Sequence, residues 1–220
     1  MANSSKLLQR ITLAALGGLP PIFLSLLLLR IWIDPLSVDN GGWVKLAASL
    51  IILEFLLLHS GAFMAVGPIV CPRRWQRLGW FLGFGIFYAA AIIAYDHWSH
   101  GNYVKWLLFA IVTSRLLTLV ILRDKQGTIM ILQRSTFGVV LLLLTAVIVF
   151  MPLPSLGITE EVRGLAFGSA DDMLARYPQR TIAWGVAYFL LMGVFEMYLG
   201  WFLPDWRKED IEKTWGALKK

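Results

Sequence analysis

Charge is what this sequence has least of. Only 15% of its 220 residues are Asp, Glu, Lys or Arg, while 58% are hydrophobic. Ordinary soluble domains hold about 25% and about 45–50% respectively. A chain of this size with so little charge cannot cover its apolar residues with a water-facing surface, which excludes a soluble globular domain. Cysteine is nearly absent as well. Cys71 stands alone, which excludes an intramolecular disulfide, and it sits beside Pro72, Arg73 and Arg74 as an incidental reduced thiol. Catalytic signatures are missing too: there is no CxxC, no HExxH, no phosphate-binding glycine loop and no nucleophile elbow. These absences point away from an enzyme, and no cofactor is identified.

The apolar residues that are present gather into runs of about 17–25, the length that crosses a hydrocarbon core of about 30 Å as a helix. Six segments emerge: 11–33, 43–70, 78–95, 103–122, 137–153 and 181–203. The expected fold is an all-α, polytopic membrane bundle of six transmembrane helices spanning residues 1–204, followed by a tail at 205–220. The first run is too long for the core of a removable signal peptide, and Pro20 and Pro21 predict a kink in it. The connection 123–136 is basic around an apolar stretch, as a segment lying in the interface would be. The longest connection, 154–180, carries two helix-start signals, one at Thr159-Glu160-Glu161 and one at Ser169 with Asp172 as the capping acid. In the tail, Trp206, Ile211, Trp215 and Leu218 share one helical stripe, which predicts an amphipathic helix on the membrane surface.

Basic residues set the orientation. Of the twenty Lys and Arg, thirteen fall at the N-terminus, in the second and fourth connections and in the tail, and six on the opposite side. The positive-inside rule then places both termini in the cytoplasm. The location expected is a membrane, specifically a bacterial inner (plasma) membrane. The net charge of +6 belongs to these helix ends, so no nucleic-acid partner is expected. The expected partners are the lipid bilayer, other membrane subunits, or a second copy of the chain in a homo-oligomer. No internal repeat stands out of the kind that inverted-repeat transporters carry.

Four ionisable residues fall inside the apolar segments: Glu54, His59, Arg115 and Glu196. A charge at the bilayer centre costs about 2.5–3.5 kcal/mol on insertion scales, so each should face the interior and find a partner. Under the six-span topology, segments two, four and six run in the same direction. Glu54 lies eleven residues past Trp43, Arg115 twelve past Tyr103 and Glu196 fifteen past Thr181, so their depths agree to within about 6 Å. An intramembrane cluster of Glu54, Arg115 and Glu196 is the expectation. Small residues support inward-facing acids: Glu54 shares a stripe with Ala47 and Gly61, and Glu196 lies between Gly193 and Gly200. One arginine serving two carboxylates in a dry interior leaves room for one shared proton. A buried salt bridge that fixes helix register is the competing explanation.

His59 sits about 140° around its helix from Glu54, on a stripe with Ile52, Phe55 and Phe63, and is read as a core histidine. Gly79, Gly83 and Gly85 are read as a helix-packing face. Metal-ligand residue types gather only at Asp96, His97 and His100, where a helical turn would bring the two imidazoles and the carboxylate toward one centre suited to Zn, Cu or Fe. Three functions follow in order of preference. The first is a small transporter or proton- or cation-conducting protein built on the midplane cluster. The second is an accessory or scaffolding subunit that docks through 154–180 and the tail. The third is a membrane metalloenzyme or redox subunit.

Overall fold

The computed structural model describes residues 2–71, 73–99, 125–168, 173–202, 212–214 and 216–217. Among them every regular element is helical and no strand occurs. The helices are α1 (Ala2–Ile33), α2 (Trp43–Val70), α3 (Arg74–Ser99), α4 (Lys125–Thr145), α5 (Glu160–Phe167), α6 (Met173–Arg176) and α7 (Pro178–Phe202). Short 3-10 turns follow α1 and α4. Among the described residues four stretches are long and apolar enough to cross a membrane: Ala14–Ile33, Trp43–Phe63, Leu132–Phe150 and Pro178–Leu199. The apolar segment 103–122 lies outside the described residues, and so do Ser169 to Asp172 and the four apolar residues of the tail stripe.

Two helices run further than hydropathy alone marks. α1 begins at Ala2 and α4 at Lys125, which takes most of the basic connection into the helix. Lys, Gln, Arg, Met and Leu are good helix formers whatever their polarity, so a polar stretch ends an apolar run without ending the helix. α1 also continues through Pro20 and Pro21 as one helix. Neither proline has an N–H, so the carbonyls of Leu16 and Gly17 lose their usual donors four residues on.

The chain divides into two compact units, one of residues 1–54 with 140–206 and one of 55–139 with 207–220. In the first, α1 and α7 pack antiparallel along most of their length. Gly18 meets Gly193 and Met197 near one end, and Gly185 meets Leu28 toward the other. Between them the Ser25 hydroxyl donates to the Val186 carbonyl at 2.8 Å. Without a hydrophobic driving force between helices in lipid, such small-residue faces and crossing hydrogen bonds are what hold a pair together. α7 is gripped from another side by α4, because the Trp184 indole donates to Thr145 Oγ1 at 3.0 Å and to the Leu142 carbonyl at 3.2 Å. Its opposite stripe, Leu190, Leu191, Val194, Tyr198 and Trp201, is exposed. On α1 the stripe Leu16, Leu19, Phe23, Leu26 and Ile33 is exposed in the same way. Apolar stripes turned outward at helical spacing fit a lipid solvent and would be a liability in water.

The far end of α1 is closed by the connection that precedes α5. Gly157 N–H donates to the Trp32 carbonyl at 3.1 Å, and the Trp32 indole donates to the Pro154 carbonyl at 3.1 Å. An orphan carbonyl of the last helical turn is thereby satisfied. α5 starts where its cap signal stands: Thr159 Oγ1 accepts from Val162 N–H at 3.3 Å. Arg163 then bonds Glu160 on its own helix and the Arg176 carbonyl of α6.

In the second unit, α2 and α3 pack through aromatic rings. The Trp80 indole donates to the Phe63 carbonyl at 2.8 Å, and Phe63 stacks on Phe84 with centroids 4.6 Å apart. The packed glycine here is Gly67, whose hydrogen faces Trp80. At Gly79, Gly83 and Gly85, read as a packing face, an added Cβ would have open space among the described residues, and the apolar segment 103–122 lies outside them. α3 meets α2 with its aromatic stripe. From α4, Gly138 lies against Leu58, 2.6 Å from where a Cβ would stand.

Candidate functional site

The site is built where α7 meets α2 and α1 in the first unit. Glu54 is the last residue of α2 within that unit. Its neighbours Ala47, Ala48 and Ile51 are buried, which turns that half of α2 inward. Across from it Tyr188 projects from α7 and donates its hydroxyl hydrogen to Glu54 Oε1 at 3.0 Å. Tyr188 is 0% exposed, the largest side chain so enclosed among the described residues, and its ring meets Phe189 edge-on with centroids 5.0 Å apart. A buried phenol needs a hydrogen-bond partner, and a half-buried carboxylate gains most from a donor.

Glu196 lies two turns further along α7, about 12 Å by helical rise. It is 6% exposed, and its carboxylate faces Gly17 of α1, with Oε2 3.4 Å from the position a Cβ would take there. The carboxylate therefore sits beside the turn of α1 that precedes Pro20 and Pro21. Arg115 lies outside the described residues. Glu54 and Glu196 thus share α7 as their common wall, the one reached through Tyr188 and the other carried on the helix itself.

His59 belongs to the second unit. Its Nδ1 is 2.7 Å from the Phe55 carbonyl, and since a carbonyl only accepts, Nδ1 is the donor. The ring lies against Phe55 at 3.9 Å between centroids. This bond to the preceding turn satisfies one ring nitrogen.

No protein-family model, no curated protein and no solved structure matches this chain. Chemistry has to be read from the residues themselves.

Asp96 and His97 stand in the last turn of α3, and their side chains, like the whole of His100, lie outside the described residues. Among the described residues no group of three or more His, Cys, Asp or Glu gathers as metal ligands would. Two residues of the site have no signal in sequence reasoning. Tyr188 is an aromatic in an apolar run, and its partner stands 134 residues away. Gly17 precedes a proline pair, which marks the helix as irregular without indicating what packs there.

Proposed function

We propose that this chain is a polytopic membrane protein that crosses the bilayer six times, with both termini cytoplasmic, and conducts protons or a small cation through an interior site formed by Glu54, Glu196 and Arg115. The observation that carries the reading is a pair of acids drawn inward on helices whose outer stripes are apolar. Glu196 is 6% exposed, and Glu54 accepts a hydrogen bond from a phenol that is 0% exposed. Ionisable groups inside membrane segments are expensive, and ion pathways and proton relays are among the roles that retain them. Full-length protein reconstituted in liposomes tests it: protons or a small cation pass, and Glu54→Gln and Glu196→Gln alter the flux. Wild-type flux in both variants would remove the role given to these acids.

A second reading, an accessory subunit of a larger membrane complex, is favoured by the connection before α7. There Leu156 and Leu165 are exposed on a segment tied down by Thr159, Arg163 and the end of α1. Gentle extraction followed by native mass measurement distinguishes the two, since a subunit retains companions and a self-sufficient conductor travels alone or with copies of itself.

A further inference from the structure

The partner of Glu54 bears on which ion is carried. A phenol is both a donor and an acceptor. Tyr188 donates to Oε1 when Glu54 is a carboxylate, and by turning its O–H it accepts from the carboxyl O–H when Glu54 is neutral. Both states keep a hydrogen bond across the 3.0 Å gap, so this contact need not break when Glu54 gains or loses a proton. A guanidinium or ammonium partner, lacking an acceptor, serves only the charged state. A metal cation makes a different demand. It needs several oxygen ligands at once, and it would compete with the phenol hydrogen for Oε1.

We infer that the species carried is the proton, and that Tyr188 is the positioning residue that allows Glu54 to take it up and release it within the first unit. This rests on the conducting reading given above. The step balances without further reagents. Glu54 carboxylate binds one proton to become the carboxylic acid and returns to carboxylate on giving that proton up, with no electron transferred and no covalent change elsewhere. Tyr188 stays a phenol throughout, donor in one state and acceptor in the other.

The test uses full-length protein in liposomes of mixed zwitterionic and anionic phospholipid with a pH-sensitive dye inside, driven by a potassium diffusion potential. Internal pH is expected to change at the same rate when external sodium is replaced by N-methylglucamine. Tyr188→Phe is expected to slow the change about tenfold or more, the factor that one hydrogen bond to a charged group carries. In infrared difference spectra, the carboxyl band that disappears in Glu54→Gln is expected to move to higher wavenumber in Tyr188→Phe. Where Tyr188→Phe does not fold, Glu54→Asp keeps the carboxylate, withdraws it from the phenol and is expected to show the same loss. Flux that stops without sodium overturns the proton. Wild-type flux and an unmoved band in Tyr188→Phe, or wild-type flux in Glu54→Asp, with flux still lowered in Glu54→Gln, overturns the role of Tyr188 and leaves the conducting reading standing. Flux no greater than in empty liposomes overturns that reading itself.

Discussion

Gly18 of α1 and Gly193 of α7 approach so closely that each meets the other's backbone. A Cβ on Gly18 would stand 2.6 Å from the Gly193 carbonyl oxygen, and a Cβ on Gly193 would stand 2.9 Å from the Gly18 carbonyl oxygen and 2.5 Å from Ile22 Cγ1. Backbone cannot swing aside as a flexible side chain can, so any larger residue must push the helices apart. The same approach sets the neighbouring Gly17 against Glu196, which makes this crossing a condition of the site as well as of the fold.

Gly193→Ala and Gly18→Ala are therefore expected to destabilise the protein by about 1–3 kcal/mol each, the usual range for overpacking a close-fitting contact. Denaturation in mixed detergent micelles measures this. Gly85→Ala on α3, where a Cβ has open space among the described residues, serves as the comparison and is expected to be neutral or slightly stabilising.

The pair Glu54 and Tyr188 is expected to be energetically coupled. Tyr188→Phe leaves a carboxylate short of a donor and should cost about 1–3 kcal/mol. A double-mutant cycle with Glu54→Gln should return a coupling energy of about 0.5–3 kcal/mol, the range for residues in contact. Additive single effects would mean that the hydrogen bond contributes nothing to folding.

Much of the fold is legible in the residues, and the reasons are local. α2 runs from Trp43 to Val70, where the apolar run begins after a polar turn and closes on Gly67 and Pro68. Thr159 caps α5 because a threonine with acids in the next turn satisfies orphan N–H groups using only near neighbours. Gly193, on the flank of Glu196, is legible as a small-residue packing face. What stays hidden is whatever depends on another helix. Hydropathy measures transfer into lipid rather than helicity, so it misses the polar first turns of α1 and α4. Nor does anything in the sequence announce that α3 meets α2 through Trp80 and Phe84. Tyr188 is the clearest case, because nothing periodic in either helix announces a bond between residues 134 positions apart.

Thr159→Ala is expected to loosen α5 without disturbing α7. Loss of the cap should cost about 0.5–2 kcal/mol locally and raise amide hydrogen exchange in the first turn of Glu160–Phe167. Exchange in Pro178–Phe202 should stay as it is in the wild type.

The function proposed depends on α7 lying in the bilayer with one face to lipid and Glu196 turned away from it. A spin-label scan of residues 190–192 and 194–201, one cysteine at a time in a Cys71→Ser background, measures this in reconstituted vesicles. Oxygen, which concentrates in hydrocarbon, should reach labels at Leu190, Leu191, Val194, Tyr198 and Trp201, which are exposed in the structure, far more than labels at Met192 and Glu196, which are buried. Such a periodic profile, with low access for a water-soluble nickel complex at the exposed positions, is the result the account predicts. High nickel access along the stripe from Leu190 to Trp201, or oxygen access with no helical period, would contradict it.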